Sequence, residues 1–106
     1  MILIVVKYRT RPEWTQQWPE LVREFTEATR AEPGNIFFEW SKSLEDEHEW
    51  VLVEAFQDDA GEAHVSSEHF AKGLETMRPA LAETPRIISR VVDGTGWEEM
   101  GELKVD

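Results

Sequence analysis

The chain has no cysteine, so neither a disulfide nor a thiolate metal site can form. It has only three histidines, and its 11 basic residues are outnumbered by 22 acidic ones, for a net charge of −11. That balance argues against nucleic acid or an anionic membrane as the main partner, because both require a basic footprint. Long apolar runs are missing too. The opening "MILIVV" lasts six residues before Lys7 and Arg9, too short for a secretion signal or a membrane span. A soluble, cytoplasmic protein is expected. There is no Gly-rich phosphate loop or dinucleotide fingerprint, and no linker or low-complexity segment.

What is present is apolar and aromatic material in excess for 106 residues: 41% hydrophobic and 10% aromatic, with five tryptophans. One domain of this length buries a modest core, so part of that surface is expected in a subunit interface or a ligand pocket. Met1–Tyr8 reads as a strand buried on both faces. Thr10 and Glu13 have capping-box spacing. Trp14, Trp18, Leu21, Val22, Phe25 and Ala28 recur at helical intervals, with a kink expected near Trp18 from Pro19. "EPGN" ends that helix, Gly34 being suited to a left-handed cap. "NIFFEWSKS" (35–43) and "EWVLVEAF" (49–56) flank an acidic turn and read as a hairpin. Asp59 with Glu62, and then Ser66 or Ser67, are two helix-start signals, so a short turn is expected before a longer helix reaching about Ala82. "TPRIISRVVDG" supplies a last strand. Trp97, Met100 and Leu103 in the tail have helical spacing, or belong to an extended arm.

The order β-α-β-β-α-β predicts an α+β, ferredoxin-like domain with a four-stranded antiparallel sheet and helices on one face. The other face is apolar, and pairing with a second copy would bury it, so a homodimer through sheet faces is expected. A single domain spans 1–106, with its core at 2–93 and a tail, 94–106, available to lie on the partner subunit.

The stretch "EAHVSSEHF" (62–70) holds two of the three histidines. A spacing of five turns them about 140° apart on a regular helix, which argues against a shared ion, and no metal site is expected. His64 suits a general base, since an imidazole titrates near neutrality; the alternative is a packed histidine at a helix start. His69 is a candidate for substrate contact or a helix-start role. Glu54, a carboxylate inside an apolar strand, needs a partner, either His64 or Arg90. Asn35, Trp40 and Trp50 are candidate pocket residues, the tryptophans equally core or interface. One of Arg86 and Arg90 is expected to bind a polar group and the other to face solvent. His48, in the hairpin turn, is expected to be solvated.

The element order, "EPGN" before the second strand, "VLVEAFQD" in the third and "AHVSSEHF" opening the second helix together resemble the antibiotic biosynthesis monooxygenase family, over roughly Ile2 to Val92. The resemblance implies a dimeric α/β barrel, with His64 facing the space between helices and sheet. It also implies an oxygenase that uses O₂ on a quinol, phenolic or polyketide-like aromatic substrate, without flavin, haem or metal. A cofactor-free isomerase of a small oxygenated metabolite would use the same histidine and carboxylate, and in a non-catalytic ligand-binding dimer the histidines would merely pack. Haem degradation fits poorly, because the position of the haem-ligating histidine falls near Gly73 and no histidine follows His69.

Overall fold

A computed structural model describes residues 1–106. The aliphatic run at the start forms β1 (Ile2–Arg9), which lies inside the sheet between two antiparallel neighbours. After a 3₁₀ turn at Pro12–Trp14 come α1 (Trp18–Leu21) and α2 (Arg23–Arg30), then β2 (Asn35–Lys42) and β3 (Glu49–Phe56). α3 (Gly61–Val65), α4 (Glu68–Met77) and β4 (Arg86–Val91) complete an α+β, ferredoxin-like order, with the sheet arranged β2-β3-β1-β4. No helix is long and apolar enough to cross a membrane.

Alternation along the strands decides what meets the helices. Ile4, Val6 and Tyr8 share the inner face with Leu52, Glu54 and Phe56 of β3 and with Phe38 and Trp40 of β2. Trp18, Phe38, Phe56 and Leu52 are fully buried, and each contributes about 1.5–3 kcal/mol by leaving water. Burial of the strands on both faces does not hold for the single chain. Leu3, Val5, Val51, Val53 and Phe37, on the outer face, are only half-buried, and β4 is exposed along its whole length.

Several local expectations are corrected. The first helical region is three pieces rather than one kinked helix. Pro19 sits in the opening turn of α1, where its missing N–H costs nothing, and the break falls at Val22. Thr10 caps no helix: its hydroxyl meets Thr15 Oγ1 at 2.7 Å and donates to the His48 carbonyl. His48 is half-buried rather than solvated, with Nδ1 2.7 Å from Thr15 Oγ1. Gly34 is not left-handed; it is required because a Cβ there would overlap that of Ala60. Asp59 does not cap α3, whereas Ser67 caps α4 by accepting from the Phe70 N–H. The tail is an arm ending in one 3₁₀ turn, and Trp97 lies on Phe37 with ring centres 5.1 Å apart.

Candidate functional site

Three elements converge between β3, an interior strand, and the helices on the inner face of the sheet. β3 carries Glu54 on the inner face, α3 carries His64, and the second helix begins again at Glu68, one residue before His69. The α3–α4 break sets the geometry. Ser67 is extended (φ −74°, ψ 153°), so the chain changes direction between the histidines and their ring centres come within 6.1 Å. The expectation that a spacing of five separates them applies to an unbroken helix and is overturned here.

The residue joining them is Glu32, at the end of the first helical region. One oxygen, Oε2, lies 2.7 Å from His64 Nδ1 and 2.5 Å from His69 Nε2. His64 is 4% exposed, with Phe56 packed on its ring at 4.6 Å between centres and Phe70 meeting it edge-on. Its other nitrogen, Nε2, faces Glu54 Oε1 at 3.8 Å, beyond hydrogen-bond length. A neutral His64 that donates from Nδ1 to Glu32 therefore keeps its lone pair on Nε2, beside Glu54. Burial, and secondarily the charge of Glu32, pushes the Glu54 carboxyl up to about 7. Burial, with a smaller contribution from Glu54, also holds the Tyr8 phenol well above its ordinary range.

Of the residues singled out in the sequence, the structure brings together His64, Glu54 and His69. Asn35 spends its amide on the carbonyls of Phe37 and Ala55, clamping the register shift at the start of β2. Trp40 donates to Thr26 Oγ1 and packs on Tyr8 and Trp18. Trp50 is buried in the core, where its indole N–H has no acceptor. Arg90 is not a partner of Glu54. It pairs with Leu3 in the register, so it projects from the outer face, and it donates to the Ser89 carbonyl. Arg86, four residues away, shares that outer face, so neither arginine points at the inner layer.

Glu32 stands in the turn motif "EPGN", which gives its side chain no role by local pattern. A signal was available: a carboxylate just past a helix C-terminus meets the negative end of the dipole and needs a cationic or N–H partner. A cavity of about 420 Å³ opens elsewhere, among Tyr8, Leu74, Met77, Arg78 and Leu81, and neither His64 nor Glu54 lines it.

The fold and site define an α+β ferredoxin-like protein carrying a buried imidazole between two carboxylates. The family model described as antibiotic biosynthesis monooxygenase matches residues 1–76, and the chain belongs to that family. A protein from Nitrosomonas europaea named for the family shares 25% identity at a TM-score of 0.79, covering 87% of this chain and 98% of that one. A conserved protein from Methanosarcina mazei Go1 has the same fold at 24% identity and a TM-score of 0.78, over 84% and 89% of the two chains. One from Deinococcus radiodurans, also named for the family, does so at 16% identity and a TM-score of 0.81, over 95% and 100%. No curated protein sequence matches the chain.

Proposed function

We propose that the protein is a monooxygenase of an electron-rich quinol or phenolic, polyketide-like substrate, with His64 as the base. The observation that supports it is the orientation of His64: Nδ1 engaged by Glu32 and Nε2 turned toward Glu54. Nε2 takes the substrate hydroxyl proton, and Glu54, with a proton affinity near neutrality, exchanges protons with the imidazole. The phenolate passes an electron to O₂, the two radicals join at carbon, and the hydroperoxide loses water. A phenol and O₂ thus become a quinone and water with no external reductant. The surrounding phenylalanines exclude water from the reacting ion.

The acting form is proposed to be a homodimer joined through the outer sheet faces. The close packing of Phe56 and Phe70 on His64 favours a second reading, a non-catalytic dimer in which the cluster is structural. Oxygen uptake by chelator-stripped protein with a panel of hydroquinones and naphthols distinguishes them. Consumption with quinone formation is expected, and His64→Gln should lower kcat by about 10²–10⁴-fold with an unchanged circular dichroism spectrum. Undiminished turnover in that variant removes the base role. No uptake by the wild type supports the non-catalytic reading.

A further inference from the structure

The proposed chemistry uses Nε2 of His64 and Glu54, and leaves unexplained why two imidazoles converge on a single carboxylate oxygen. We propose that Glu32, His64 and His69 form a binding site for a divalent first-row transition metal ion, through Oε2 of Glu32, Nδ1 of His64 and Nε2 of His69. This inference goes beyond the oxygenase reading and does not depend on it.

The three ligand atoms already lie within 4.8 Å of one another. An ion about 2.0–2.2 Å from each nitrogen and oxygen sets such atoms roughly 3–3.5 Å apart, so the two short contacts to Glu32 need to open only slightly. Two imidazoles and one carboxylate suit zinc, iron, cobalt, nickel or copper, and disfavour calcium and magnesium, which take oxygen ligands. The ligands come from the turn after α2, from α3 and from α4, with Glu32 separated from the histidines by 32 and 37 positions. The site exists only in the folded chain, so binding there stabilises the fold.

The surroundings support the assignment. Glu54 stands 3.8 Å from His64 Nε2, the nitrogen away from the ion, so its charge favours the proton that a metal-bound imidazole carries there. Phe25, Phe56 and Phe70 pack on the histidine rings and limit competition from water. His69, 26% exposed in its side chain, is the most accessible of the three ligands and lines a small cleft with Phe25, Lys72 and Gly73. An ion on Nδ1 places the imidazole proton on Nε2, so His64 cannot serve as a base while the site is filled. Metal occupancy and the proposed turnover are alternative states of one histidine.

Cobalt(II) is the direct probe, titrated into tag-free, chelator-stripped protein and followed by its visible ligand-field absorption. One ion per chain is expected, displaced by zinc, with zinc also raising Tm. His69→Gln and Glu32→Gln should each weaken binding by at least the roughly 10–100-fold that loss of an outer partner costs. His48→Gln, which removes the third histidine, should leave it unchanged. Absence of saturable absorption overturns the site. So does equal affinity in the wild type and the His69→Gln, Glu32→Gln double variant, which would mark the ion as adventitious. Because no substrate is involved, this result is independent of oxygen uptake by the metal-free protein.

Discussion

Glu54 is a carboxyl group among apolar side chains, and its proton affinity follows from that. Burial first, and the charge of Glu32 second, raise it from 4.5 to about 7. The folded chain therefore keeps a proton that the unfolded chain releases between these values. Its contribution to stability is full below pH 4.5 and is lost as pH rises through 7, in total about 3 kcal/mol. Glu54→Gln should flatten the pH dependence of the urea midpoint across that window, leaving the variant more stable than the wild type at pH 8. An unchanged slope would assign the effect to another group. His64 and Glu54 were both legible in the sequence, one as a scarce residue type and the other as a charge inside an apolar strand. Glu32 was not, because its role depends on residues more than thirty positions away.

At the scale of elements, two short joints position the site. The α3–α4 break brings the histidines to one carboxylate, and Ser67 secures it by capping α4. Ser67→Ala should cost about 1 kcal/mol, measured by chemical denaturation, and should weaken cobalt binding, whereas Ser66→Ala should leave it unchanged. The other joint is the turn after α2, where Gly34 lets the backbone that carries Glu32 approach Ala60. Gly34→Ala should destabilise by about 1–3 kcal/mol through overpacking, and Ala60→Gly in the same chain should restore most of the loss. The strands and the double helix start could be read from local pattern. The cap assigned to Gly34 could not be corrected from sequence, since left-handed turns and close packing select the same residue.

At the scale of the molecule, the chain is a slab of 42 × 34 × 21 Å with a radius of gyration of 14.9 Å. A compact domain of this length would have a radius of about 13 Å. The excess reflects a sheet covered on one side only. Leu3, Val5, Val51, Val53 and Phe37 are half-buried on the bare face, Ile88 is exposed, and the tail crosses part of that face through Trp97. A second copy would cover it, and the proposed homodimer should sediment as such at micromolar concentration. Val53→Lys, which places a charge at the centre of that face, should shift it to monomer while far-ultraviolet dichroism is retained. A monomeric wild type would refute the sheet-to-sheet assembly. The sequence by itself determined the element order and the ferredoxin-like class, and marked His64 and Glu54 as candidates, because periodicity, turn chemistry and residue scarcity are local properties. Only the tertiary structure decided that both arginines of β4 lie on the outer face, that His48 is tied to Thr15, and that Glu32 gathers the two histidines of "EAHVSSEHF". Those relations follow from sheet register and from a change of helix direction, which no local spacing encodes.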